Sequence, residues 1–112
     1  MDIKHEDRGT VTVVSIVGSL DAMTSPQLTE FLNGQLAEGR ANLIGDLAAL
    51  EYTSSAGLRA VLNATKEARQ RGGDVRLAAV QPNVKKVFEL SGVTSILKFY
   101  SDVPAAVASY KG

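Results

Sequence analysis

The chain has no cysteine, no tryptophan, one histidine and three prolines in 112 residues. Without cysteine there is no disulfide, no thiolate nucleophile and no Cys-based zinc site. The lone His5 cannot build a multi-histidine metal centre, and its place near the start of the chain argues against a hydrolytic triad. Aromatics are only 5% of residues, too few for a platform on which bases stack. Lys plus Arg and Asp plus Glu are 12 each, so the formal net charge is zero. Such a chain has no general attraction for nucleic acid or for an anionic membrane. No apolar run approaches the roughly 20 residues that span a bilayer, and Met1-Asp-Ile-Lys4 lacks the apolar core of a signal peptide. The expectation is a cytoplasmic protein with no nucleic acid partner and no membrane insertion. The Gly-x-x-x-x-Gly-Lys-Ser/Thr pattern of a P-loop is also missing.

What remains is a composition ordinary for a globular domain, 45% hydrophobic, in a chain long enough for a core without covalent staples. Ile3 to His5 reads as a short extended segment, followed by turn chemistry at Asp7-Arg8-Gly9. Thr10 to Val17 alternates β-branched residues. Val11, Val13, Ser15 and Val17 fall on one side, and Thr12, Val14 and Ile16 on the other. Apolar residues on both faces predict a strand inside the sheet, joined to the first by a hairpin. Gly18-Ser-Leu-Asp21 ends it. Ser25-Pro26 has the form of a helix start, a cap hydroxyl before a proline at the first helical position. Leu28, Phe31, Leu32 and Leu36 keep helical spacing up to Gly39.

Asn42 to Leu47 is the next strand, with Gly45 inside it marking a bulge or a close approach. A helix from Ser55 is expected to bury Leu58, Val61, Leu62, Thr65 and Ala68 and to stop at Gly72-Gly73. Val75 to Val80 is a strand. Gln81-Pro82 opens a helix carrying Val84, Val87, Phe88 and Leu90, and Ile96 to Tyr100 is a short strand. Asp102 caps a last helix with Val103, Val107 and Tyr110. The predicted order is ββαβαβαβα. That describes a single α/β domain, residues 1–112, with a mixed sheet of mostly parallel crossovers.

The chemically distinctive stretch is Tyr52-Thr-Ser-Ser-Ala-Gly-Leu58. Three hydroxyls fall where a strand gives way, through a short loop, to a helix N-terminus. The unpaired N–H groups and partial positive charge there suit a hydroxyl, and suit a phosphate better. One of Ser54 and Ser55 serves as an N-cap on the plain reading. On the functional reading one is a phosphoacceptor, because negative charge at a helix N-terminus is tolerated by the fold while it spoils a surface shaped for a neutral hydroxyl. Asp21, in the loop before the first long helix, lies near Ser55 in a sheet of this order. It is either a solvated turn residue or a group that holds the serine hydroxyl or a partner's base. Asp21, Asp46 and Glu51 contain enough carboxylate for a Mg²⁺ ion, though nothing in their spacing requires one. Lys66, Arg69, Arg71, Lys85 and Lys86 read as solvated helix faces.

Three motifs in order carry a resemblance. Gly18-Ser-Leu-Asp21 is similar to a Gly-x-Leu-Asp after a second strand. Asp46-Leu47 followed by Tyr52 to Leu58 is similar to an Asp-Leu-Ser…Asp-Ser-Ser/Ala-Gly-Leu segment. Gln81-Pro82-Asn-Val-Lys-Lys-Val-Phe-Glu-Leu-Ser-Gly92 is similar to Pro-x-Val…Phe…Ser/Thr-Gly. Together they resemble the STAS domain family over nearly the whole chain, and in particular its stand-alone bacterial anti-sigma factor antagonists.

The resemblance implies a STAS-like fold with helices packed mainly on one face of the sheet. It implies a regulatory binding protein, not an enzyme, with no cofactor. Its partners would be an anti-sigma factor with serine kinase activity and a PPM-type serine phosphatase. Unphosphorylated, such a protein binds the anti-sigma factor and frees a sigma factor; phosphorylation breaks the complex. Carried over by position, Ser55 is the acceptor, with Ser54 second choice. Ser19, Asp21, Met23, Thr24, Ser54, Ala56, Gly57, Leu58 and Arg59 form the partner surface. In that reading Asp21 orients Ser55, and Gly57 lets a partner's backbone come close.

Two residues depart from the pattern. Ser54 stands where the family usually has Asp, and Gly45 where it prefers a larger apolar residue. The first departure leaves open a STAS scaffold or transporter-associated subunit with no phospho-cycle. A nucleotide-binding or enzymatic use of the same helix N-terminus is the other alternative.

Overall fold

The structure is a computed structural model and describes residues 1–110. Its elements are β1 (Asp2–Arg8), β2 (Val11–Leu20), α1 (Ser25–Ala37), β3 (Asn42–Asp46), β4 (Leu50–Thr53), α2 (Ser55–Gln70), β5 (Asp74–Ala78), α3 (Pro82–Leu90), β6 (Lys98–Tyr100) and α4 (Val103–Ser109). The order is the expected one with one strand added. β1 and β2 form the antiparallel hairpin, turned at Gly9 with φ +65°. The path then runs β2–β3–β5–β6, every pair parallel.

The added strand is β4. It pairs in parallel with the far end of β2, Gly18↔Leu50, Ser19↔Tyr52 and Leu20↔Thr53, past the point where β3 stops. Gly18-Ser-Leu20 is therefore strand, not the end of one. A β-bulge lies between Gly18 and Ser19, and Gly18 takes φ +102°, which a side chain would resist. Four residues with a half-exposed pattern, buried at Leu50 and Thr53 and exposed at Glu51 and Tyr52, are too short for periodicity to distinguish from a loop.

Most of the core lies on one face of the sheet. Leu28, Leu32 and Leu36 of α1, Leu58, Val61 and Ala64 of α2, and Val84 and Phe88 of α3 pack there on Val14, Ile16, Leu43, Val75 and Leu77. The other face holds a smaller cluster, in which Ala106, Val103 and Val107 of α4 cover Val11, Val13, Ile44 and Ala78. The exposed edge strand β1 carries Lys4, Glu6 and Arg8, charges that discourage edge-to-edge pairing.

Several local expectations change. Ser25 is the first helical residue of α1, and its hydroxyl donates to the Asp21 carbonyl instead of capping. Gly45 keeps β3 in unbroken register with both neighbours, so there is no bulge; a Cβ there would come within 2.9 Å of a Leu77 methyl. β5 stops at Ala78 because Ala79 takes φ +57°. Leu62 is only half-buried and Leu90 is 80% exposed.

Two of the supposedly solvated arginines are anchors. Arg69 donates to Asp74 (2.9 Å) and to the Ile96 carbonyl (2.7 Å), and Arg71 reaches the Leu36 carbonyl (2.8 Å). Asp74, nearly buried at the start of β5, also meets Arg76 at 3.1 Å and Lys98 at 3.8 Å. The Asp102 cap of α4 is present, accepting from the Ala105 N–H at 2.8 Å.

Candidate functional site

Because β2, β3, β5 and β6 run parallel, their carboxyl ends share one edge of the molecule, with β4 aligned alongside β2. In such sheets ligands and partners meet the chain beyond that edge. Here it presents the loop after β2 and the start of α2. The Ser54 N–H donates to the Leu20 carbonyl at 2.8 Å, which ties the two segments together. Ala22 and Ser25 face Ala56 and Arg59 across a cleft of about 630 Å³.

The two serines have different jobs. Ser54 is the N-cap of α2, in extended conformation, and its hydroxyl accepts from the Gly57 N–H at 3.3 Å. Its carbonyl accepts from the Leu58 N–H at 3.0 Å. Ser55 is the first helical residue and is exposed. The capping role thus falls to Ser54, whose hydroxyl is occupied by the helix, while Ser55 is exposed.

Asp21 does not hold Ser55. Its Oδ1 accepts from the Met23 N–H (2.9 Å), the Thr24 N–H (3.0 Å) and the Thr24 hydroxyl (3.1 Å). The Thr24 oxygen in turn accepts from the Asp21 N–H at 2.8 Å and lies 3.1 Å from the Ser19 carbonyl. This is an Asx-type clamp that fixes a tight loop. The Thr24 N–H, aided by the Thr24 hydroxyl and the Met23 N–H and opposed by desolvation, holds the Asp21 carboxyl below its ordinary 3.8. The carboxylate is therefore charged, and the clamp closed, throughout the neutral range.

Gly57 also has a different reason from the one expected. A Cβ on it would lie 2.6 Å from Leu20 Cγ and 2.7 Å from Thr53 Oγ1. Its smallness lets α2 settle on β2 and β4 from inside the molecule; it is buried and offers no approach to a partner's backbone. Leu58 is likewise buried, at 4% exposure. Ser19, Met23, Ser55 and Arg59 are exposed, and Asp21, Thr24, Ser54 and Ala56 are half-buried.

The sequence reading missed Tyr52, half exposed on β4 and in register beside Ser19. Only the pairing of β4 with β2 brings it to this surface. Among the described residues no group of three His, Cys, Asp or Glu side chains is placed to hold a metal ion, and no helix is long and apolar enough to cross a membrane.

Comparison with known proteins gives the class. Residues 2–106 match the model of the STAS domain. A Bordetella bronchiseptica protein, BtrV, provisionally named an anti-sigma factor antagonist, is 36% identical over 99 residues, 88% of this chain and 85% of its own. The anti-sigma-B factor antagonist of Listeria monocytogenes is 30% identical over the same shares of the two chains. The structure of the Bacillus cell fate determinant SpoIIAA in its phosphorylated form superposes with a TM-score of 0.77 at 20% identity, covering 98% of this chain and all of that one. The chain belongs to the STAS domain family, and its relatives are named as regulators, not enzymes.

Proposed function

We propose that this protein is an anti-sigma factor antagonist whose docking is switched by phosphorylation of Ser55. The observation that carries the proposal is the division of labour at the start of α2: Ser54 caps the helix, and Ser55 is exposed beside the clamped loop. The names of the relatives and the phosphorylated form of SpoIIAA support the same reading.

In this reading an anti-sigma factor with serine kinase activity rests on Ser19, Met23, Tyr52 and the first turn of α2. It transfers the γ-phosphoryl group of ATP to Ser55 Oγ, and ADP departs. The new dianion sits by the unpaired N–H groups of the first turn, and Arg59 lies one turn along the same face, so the helix accommodates it. The partner surface, matched to a neutral hydroxyl, does not. A PPM-type phosphatase removes the phosphate and restores docking.

The test is incubation of the purified chain with ATP and a purified anti-sigma factor kinase from the same organism, then peptide mapping. One phosphate on Ser55 is expected, with Ser55→Ala unlabelled and still bound, and Ser55→Asp bound at least about tenfold more weakly. Phosphate on Ser54 would move the site. No phosphate from an active kinase that binds the chain would replace the switch with a phospho-independent STAS subunit.

A further inference from the structure

We propose that Met23 is an oxidation site that gives the docking surface a second, phosphate-independent off-switch. The proposal rests on the docking reading above. Met23 is 88% exposed, the most exposed of the large apolar side chains. It is not there because the loop is slack. Its own N–H is held by the Asp21 carboxylate, and the next residue is held by three further bonds within the loop. The clamp displays a thioether to solvent on a fixed backbone, next in the chain to Ala22, which lines a cleft with Ala56 and Arg59.

The backbone that carries this side chain is ordered before a partner arrives, so docking has only the thioether's own rotamers left to fix. Methionine also adapts to irregular apolar pockets and is at home in binding surfaces.

The chemistry is selective by composition. The chain has no cysteine to intercept an oxidant and only two methionines. The other, Met1, is partly buried against the main core. With a hydroperoxide such as hydrogen peroxide, the Met23 sulfur lone pair attacks one peroxide oxygen. An S–O bond forms and the O–O bond breaks. The departing hydroxide takes the proton from the oxygen now on sulfur and leaves as water. Sulfur loses two electrons and the peroxide gains them. The product sulfoxide is polar and chiral, so it no longer fits an apolar pocket, and it is reducible by thiol-dependent sulfoxide reductases. Because the side chain touches little of its own protein, the fold is indifferent to the change.

The experiment treats the full chain with hydrogen peroxide, maps the added oxygen, and measures affinity for the same purified kinase before and after. Expected results are oxygen on Met23 at least about tenfold faster than on Met1, an unchanged Tm, and an affinity lower by about tenfold or more. In Met23→Leu the ratio of affinities before and after peroxide should be one, whatever the variant's own affinity. If oxidised protein binds as well as reduced protein while Ser55→Asp binding is weakened, the Met23 proposal is overturned and the docking reading stands. A peroxide loss that persists in Met23→Leu also overturns it. If the reduced wild-type chain does not bind the kinase, both readings fall together.

Discussion

Replacing Gly57 by alanine tests whether its role is internal packing. In a helix alanine is favoured over glycine by about 1 kcal/mol, so on local grounds Gly57→Ala should stabilise α2. The tertiary structure says otherwise. The new methyl would sit 2.6 Å from Leu20 Cγ, a branch carbon with the rest of a fully buried side chain behind it. It would also sit 2.7 Å from Thr53 Oγ1, whose proton is directed at the Ser54 carbonyl. Both distances lie far inside ordinary contact, so α2 must move away from β2 and β4.

Overpacking of this kind costs about 1–3 kcal/mol, and subtracting the propensity gain leaves a net loss of about 1–2 kcal/mol at the upper part of that range. For a domain of this size that lowers Tm by roughly 5–10 °C. Urea unfolding followed by circular dichroism measures it. A double-mutant cycle adds specificity: Leu20→Ala should cost at least about 0.5 kcal/mol less in the Gly57→Ala background, because the methyl then has room. A Gly57→Ala protein with a Tm equal to or above that of the wild type would refute the packing argument.

Two further predictions concern the opposite, amino-terminal edge of the parallel strands. The Tyr110 hydroxyl lies 2.6 Å from the Leu43 carbonyl and 2.8 Å from that of Asp74; burial first, then the Asp74 charge, raises its pKa well above the ordinary 10.0. A folded-state pKa above the unfolded one means stability that is complete below pH 10 and declines as pH rises from there toward the folded value. Wild-type stability should therefore fall above pH 10 more steeply than that of Tyr110→Phe, as measured by denaturation across alkaline pH; parallel curves would contradict it. Asp74→Ala removes the carboxylate shared by Arg69, Arg76 and Lys98. It should cost about 3 kcal/mol, chiefly by leaving the mostly buried Arg76 without its carboxylate, with only the Ser109 oxygens still accepting from it, while leaving kinase docking at the far edge unchanged. A loss under about 1 kcal/mol in urea titration would mean the cluster is solvated.

The sequence by itself determined whatever depends on residues close together in the chain. The β-branched alternation of Val11 to Val17 placed β2 inside a sheet, and the spacing of Leu28, Leu32 and Leu36 made α1. The motif set from Gly18 to Gly92 indicated the family, because turn chemistry and loop lengths are local quantities. Asp102 was legible as a cap for the same reason.

Only the tertiary structure decided what depends on partners distant in sequence. β4 exists because Leu50 to Thr53 finds the free flank of β2, a pairing that no four-residue pattern announces. That pairing brings Tyr52 beside Ser19 and puts Thr53 and Leu20 against Gly57. Which serine caps and which is exposed followed from the extended backbone of Ser54, φ −89° and ψ 173°, where β4 gives way to α2. Asp21 is the local exception: its carboxylate turned back to Met23 and Thr24, two and three residues on, and only the folded structure ranked those neighbours against Ser55. Side-chain type sets what chemistry is available; the packing of α2 on β2 and β4 sets which of those groups is left free to use it.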